Sequence, residues 1–184
     1  MKFLSALASL LMLSAAPVLA QQTPASLQAL DETYGYRGAR FESDTSVFRD
    51  LALAEKAGQT RYYRRKSEPK TLGEGEVADV TYGFYQGKLS VILLKTQGLD
   101  NSRAVLAALQ QKAGAGTRAS VFAQRYAWNG KKVHMSYEEN ALSNDAVVVV
   151  TCKKLKEKEM KQALKFQPTT PTGSSPRRDV LSGQ

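Results

Sequence analysis

Between residues 80 and 96 apolar and polar side chains alternate in two runs separated by Gln86-Gly87, which is the pattern of a β-hairpin. Val80, Tyr82 and Phe84 occupy one side of the first arm, with Thr81, Gly83 and Tyr85 on the other. Leu89, Val91 and Leu93 alternate with Ser90, Ile92 and Leu94 on the second arm, which is apolar enough to be covered on both sides. Gly87 supplies the positive φ that a tight turn requires.

The rest of the chain is arranged around this hairpin. Leu27 to Asp31 predicts a short helical turn at the end of a polar lead-in (21–31), and Tyr36 to Phe41 a first short strand. Ser43-Asp44-Thr45 reads as a helix cap, and the spacing of Val47, Phe48, Leu51 and Ala52 predicts a helix ended by Gly58. Residues 61–66, RYYRRK, read as a strand with interleaved aromatic and basic residues, and 67–75 as a turn-rich loop. Beyond the hairpin, Gly98, Asp100, Asn101 and Ser102 form a second capping signal. Val105, Leu106 and Leu109 then make the apolar stripe of a helix stopped by Gly114 and Gly116. A second hairpin follows, with strands at 121–128 and 131–137 and Asn129-Gly130 as a two-residue turn. Residues 146–152, AVVVVTC, are apolar enough to form a central strand.

The order helix, basic strand, hairpin therefore occurs twice, and FYQGK at 84–88 answers AWNGK at 127–131. The expected fold is α+β: an antiparallel sheet with two helices packed on one face, built from two αβββ-like units at about 36–97 and 98–155 of a single domain spanning 32–155. A basic terminal helix (156–166) and a disordered tail (167–184) rich in proline and small polar residues follow it.

The first twenty residues change the setting. Lys2, an apolar run from Phe3 to Leu13, and Val18-Leu19-Ala20 have the three parts of a secretory signal peptide. Export to a bacterial periplasm or the medium is the expectation, with no transmembrane segment after cleavage. Cys152 is the only cysteine, so an internal disulfide is excluded, and no cysteine lies at the cleavage site to carry a lipid. Losing Lys2 with the leader leaves one fewer than the 26 basic side chains against 17 acidic ones. That excess favours anionic surfaces as partners; in an exported protein, nucleic acid is the less expected of them.

Candidate chemistry is sparse. One histidine and one cysteine cannot assemble a zinc site by themselves, and there is no phosphate loop, dinucleotide fingerprint, nucleophile elbow or calcium loop. No cofactor or metal is expected. The one pair to test is His134 with Cys152, which neighbouring strands could bring together as an imidazole-activated thiolate.

The motifs YGFYQGKL at 82–89, NSRA at 101–104 and WNGKKV at 128–133, with Met135-Ser136-Tyr137, give residues 34–155 a resemblance to a group of small exported bacterial proteins of uncharacterised activity. More distantly, the helix-plus-sheet order is similar to the β-lactamase-inhibitor-protein-like architecture and to the small outer-membrane assembly lipoproteins. The first resemblance implies no activity; the proteins of the two more distant architectures work by binding proteins. This chain lacks the lipid-bearing cysteine of the lipoproteins and the disulfides of the inhibitor, and no functional residue carries over. The expected function is an exported, non-enzymatic binding or scaffolding domain using the open sheet face, with an envelope protein or an anionic surface as partner. Tyr62, Arg64, Tyr85, Arg125 and Trp128 are its candidate contacts, chosen because aromatics and arginine dominate interface energetics. The alternatives are an enzyme built on His134 and Cys152 and a basic protein held on anionic surfaces.

Overall fold

A computed structural model describes residues 24–165. The predicted leader, the predicted tail and the last residue of the predicted terminal helix lie outside the described residues. Helix α1 (Pro24–Thr33) is followed by a small hairpin, β1 (Gly35–Tyr36) and β2 (Ala39–Arg40), and then by β3 (Leu51–Ala57) and β4 (Thr60–Arg65). A second small hairpin, β5 (Thr71–Leu72) and β6 (Gly75–Glu76), precedes the long arms β7 (Asp79–Tyr85) and β8 (Lys88–Lys95). Helix α2 (Leu99–Ala113) leads to β9 (Thr117–Arg118), β10 (Arg125–Asn129), β11 (Val133–Glu139) and β12 (Ala146–Cys152), which runs directly into α3 (Lys153–Lys165).

Eight strands form one antiparallel sheet in the order β3-β4-β7-β8-β12-β11-β10-β9. The two halves of the chain each contribute a four-stranded meander, and the halves meet through their last strands. The expected α+β architecture holds, but each half contributes four strands to the sheet instead of the three expected of an αβββ unit. The helix that opens the first half is α1, which the sequence suggested only as a single turn. Where a helix was predicted after Ser43, only a 3₁₀ turn (Thr45–Val47) forms. Asp50 adopts φ 64° and Phe48 turns inward onto Tyr82 and Phe84, so the chain leaves the turn as strand β3. The helical spacing of Val47, Phe48, Leu51 and Ala52 was a coincidence of a turn and a strand.

The 80–96 hairpin forms as expected. Tyr85 pairs with Lys88 across a two-residue turn in which Gln86 and Gly87 have φ of 50° and 80°, the mirror-image turn that suits the right-handed strand twist. The second hairpin differs from its prediction. Asn129 pairs with His134, so its connection is longer than an Asn-Gly turn. The strand predicted from Val121 begins only at Arg125, and Val121 and Phe122 are exposed loop residues.

The reason lies in α1. The Asp31 carboxylate accepts hydrogen bonds from the backbone amides of Lys131, Lys132 and Val133 at 2.6–2.9 Å, three successive donors converging on one anion. A side chain at Gly130 would strike that carboxylate. Asp31 therefore docks α1 onto the loop and fixes its shape.

On the helix-covered face, Val80, Tyr82 and Phe84 of β7, Ile92 and Leu94 of β8, Val148 and Val150 of β12, and Val133, Met135 and Tyr137 of β11 form the core with Leu30 of α1 and Val105, Leu106 and Leu109 of α2. Gly75 lies so close to α2 that a methyl group there would meet the Asn101 carbonyl oxygen and the Val105 amide. Among the described residues, the buried side-chain polar groups other than the Tyr36 hydroxyl are matched. Thr96 and Ser102 hydroxyls lie 2.6 Å apart, Ser102 donates to the Asn144 carbonyl, and the Tyr137 hydroxyl donates to Glu139.

Burial pushes the Asp31 carboxyl up, the three amides and the Lys132 charge pull it down, and the balance leaves it below the ordinary value of 3.8. Its stabilisation is therefore complete above the unfolded-state value and is lost as pH falls through the native one. Asp31→Ala should cost about 2 kcal/mol at neutral pH, the scale of charge-assisted hydrogen bonds partly shared with water. For a domain of this size that is a melting shift of roughly 5 °C. The variant should also have a shallower loss of stability below pH 4, measured by urea unfolding at several pH values. Unchanged stability and acid slope would mean that the loop holds α1 by other contacts.

Candidate functional site

Strand alternation sorts the remaining side chains onto the second face of the sheet, which α1 and α2 do not touch. Cross-strand register arranges them in rows. The first row is Asp79, Lys95, Val147, Glu138 and Arg125, each the direct neighbour of the next across β7, β8, β12, β11 and β10. Thr81, Leu93, Val149, Ser136 and Ala127 form the second row, and Gly83, Val91, Thr151, His134 and Asn129 the third.

Helix α3 closes one end of this face. Its sheet-facing positions are Leu155, Glu159 and Gln162. Glu159 accepts from the Thr60 hydroxyl at 2.8 Å, and Gln162 accepts from the Tyr85 hydroxyl. Beneath it a small cavity of about 230 Å³ separates Tyr62, Val91 and Thr151 from Lys156 and Glu159. The other end is uncovered among the described residues. There a groove of about 760 Å³ runs along the first row, with Val147 and Val149 as its apolar floor and Asn140, Ser143 and Asp145 at its rim.

Electrostatics gives this row its character. Arg64 reaches from β4 to grip Asp79 with two nearly parallel bonds, Nε to Oδ1 at 2.6 Å and Nη2 to Oδ2 at 2.9 Å. That guanidinium holds the Asp79 carboxyl below its ordinary range, against the opposing effect of burial. At the far end Arg125 pairs with Glu138. Lys95 stands between the two pairs, exposed, with no ion-pair partner among the described residues. Beside it Val147 is 37% exposed, a β-branched apolar side chain facing solvent in mid-sheet. The row is thus a pattern of two ion pairs around one ammonium, whose charge also acts on Asp79, and one apolar side chain.

Of the residues singled out from the sequence, Arg64 and Arg125 lie on this open row, both in ion pairs. Tyr62 is on the same face but half-buried near α3, and Tyr85 is buried beneath α3 at 2% exposure. Trp128 lies on the opposite face. It is completely buried, donates its indole N–H to the Gly114 carbonyl at 2.7 Å and stacks on Tyr126. It belongs to the core and leaves the set of contacts. Lys95, Asp79, Val147 and Glu138 were not singled out from the sequence. Outward positions in otherwise apolar strands marked them, but only the register joins them into a row.

His134 and Cys152 do not meet. His134 pairs with Thr151 and Cys152 with Val133, so the imidazole and the thiol project from opposite faces. The thiol is fully buried, with the Tyr34 hydroxyl 3.3 Å away; that hydroxyl also donates to Glu42, whose carboxylate in turn accepts from Lys154. The Lys154 contact first and the Tyr34 contact second hold the Glu42 carboxyl below its usual range, while burial and the neighbouring acid keep the Tyr34 phenol protonated. This chain of contacts ties α1, the first small hairpin and α3 together. No group of three or more histidine, cysteine, aspartate or glutamate side chains that could hold a metal ion occurs among the described residues.

The register makes a direct prediction. Cys152 in the folded protein should resist a small maleimide and react only after unfolding. Burial and the nearby Lys153 charge depress the His134 pKa below 6.5, so the imidazole is neutral at pH 7. Its NMR titration should be unchanged by Cys152→Ala. Native-state labelling at the unfolded rate, or a titration that shifts in the variant, would place the two groups on one face.

Comparison with protein-family models, with curated proteins and with solved structures finds no match to this chain.

Proposed function

We propose that this chain is an exported, non-enzymatic binding domain of the bacterial envelope, and that its open sheet face holds a protein partner. The observation that carries the reading is the first row of that face: five adjacent strands present Asp79, Lys95, Val147, Glu138 and Arg125 beside a groove of about 760 Å³. A sheet face left only to solvent needs no apolar residues. Here Val147 and Val149 make an apolar floor within a frame of charges, the organisation of an interface with an apolar centre and a polar rim. Lys95, which has no ion-pair partner among the described residues, selects a partner that brings a carboxylate to the centre of the groove, and the flanking Arg64–Asp79 and Arg125–Glu138 pairs fix its register. The signal-like first twenty residues support export, and no described helix is long and apolar enough to cross a membrane.

A second reading, attachment to anionic surfaces, draws on α3. Met160 and Leu164 are 57% and 67% exposed on the side of α3 away from the sheet, among Lys153, Lys156 and Lys161. Glu159 and Glu157 neutralise Lys156 and Lys161, which weakens this reading relative to the first.

The two separate in one experiment. Mature protein is used to capture partners from envelope extract at low and high salt, alongside Lys95→Glu and Val147→Asp variants. Both changes are on exposed positions, and melting temperatures should stay within about 2 °C of the parent. A discrete protein retained by the parent at high salt and lost by both variants is the expected result. Equal capture by parent and variants overturns the open-face reading. Capture that vanishes with salt in all three moves the interaction to the basic surface.

A further inference from the structure

On the helix-covered side, packing is incomplete. Between α1, α2 and the sheet lies a cavity of about 200 Å³, and its walls are almost wholly apolar: Leu30, Leu94, Leu109, Met135, Val148 and Val150. A dry cavity of roughly 150 Å³ is enough to take up benzene, so this one has room for a chain of about six to eight carbons. The cavity opens where Arg37 and Lys112, both exposed, join its lining.

One wall residue breaks the apolar pattern. Tyr36 lines the chamber, and its hydroxyl is buried, makes no hydrogen bond of good geometry among the described residues and feels the charge of the neighbouring Arg37 guanidinium. A buried hydroxyl without a well-formed hydrogen bond is destabilising, so a native protein seldom carries one without a use. The Arg37 guanidinium lies over the Tyr36 ring, 5.2 Å from its centroid, and one of its N–H groups donates to the Pro69 carbonyl at 2.7 Å. Neither Arg37 nor Lys112 has an ion-pair partner among the described residues. The nearest acid, Glu68, is held by the Tyr82 hydroxyl and by Arg65.

We propose that this chamber binds a small amphiphilic carboxylate, a medium-chain fatty acid, with its alkyl chain among the leucines and valines and its carboxylate at the mouth between the Tyr36 hydroxyl, Arg37 and Lys112. The chemistry on the page selects this class. The apolar walls exclude a sugar or a nucleotide, the volume excludes a two-chain lipid, and the two cations with an unmatched hydroxyl favour an anion over an amine or an alcohol. The site lies on the opposite side of the sheet from the open row and does not depend on the role proposed for that row.

Calorimetry on the full mature protein with octanoate, octanol and octylammonium tests the assignment. Octanoate should bind saturably at one site, more tightly than the other two. Tyr36→Phe and Lys112→Glu should each weaken it about tenfold, the equivalent of one charge-assisted hydrogen bond. Tyr36→Phe should leave the melting temperature unchanged or raised, because the hydroxyl it removes is unmatched. Ala113→Leu, which fills the chamber from α2, should abolish binding without lowering the melting temperature, since the added methyl groups enter empty space. Absence of saturable octanoate binding overturns the proposal. So does equal binding by the filled variant, which would put the ligand elsewhere, or equal binding of octanol or octylammonium, which would remove the carboxylate from the assignment.

Discussion

The pairing of β8 with β12 is the contact on which the molecule depends. These strands end the two halves of the chain, and five consecutive pairs, from Lys95 with Val147 to Val91 with Thr151, join them into one sheet. Leu94 and Ile92 face Val148 and Val150 on the helix side, all of them buried, so the seam is also the middle of the core. Neither four-stranded meander could bury its apolar face with one helix alone. Joined at this seam they share α1 and α2, and α2, the connection between the halves, is held over the core it needs.

Everything distinctive about the two faces follows from that seam. It puts Lys95 and Val147 side by side at the centre of the open face and places the Arg64–Asp79 and Arg125–Glu138 pairs on either flank, one from each half. The approximate symmetry of the halves thus appears as a symmetric charge pattern: an ion pair, a centre, an ion pair. The halves differ at the ends of their last strands. β8 continues through a loop into α2 on the helix side, whereas β12 enters α3 without an intervening residue and sends it over the opposite face, where it covers Tyr85 and part of the third row.

Local signals carried much of this architecture. Period-two alternation marked β7, β8 and β11, a continuous apolar run marked β12, and Gly114, with φ of 80°, ended α2 where glycine placement indicated. What sequence could not supply was contact at a distance. The Asn129-Gly130 turn was misjudged because its geometry is dictated by Asp31, a hundred residues earlier in the chain, whose carboxylate organises three amides into a wider loop. The helix expected after Ser43 failed because Phe48 gains more by packing on Tyr82 and Phe84 than by continuing a helical turn. Of the side chains chosen by residue type, Arg64 and Arg125 are exposed on the open face and Trp128 is buried in the core, since a tryptophan that stacks and donates a hydrogen bond internally looks the same in sequence as one that awaits a partner.

Both candidate sites have one geometric origin. Eight strands at about 4.8 Å spacing make a sheet roughly 34 Å wide. Helices of ten and fifteen residues are about 15 and 22 Å long and near 10 Å across, so side by side they cover little more than half that width. The small hairpins and the Phe48 turn fill the remainder of the helix face with short, irregular pieces, and irregular pieces pack less completely than a third helix would. The chamber beside Tyr36 lies where one such hairpin meets α1 and α2. On the other face α3 is the only helix among the described residues, closing one end and leaving the charged row uncovered by them. A sheet wider than its helices therefore leaves two concave surfaces among the described residues, one lined mostly by apolar side chains between the helices and the sheet, the other by charged side chains on the open face.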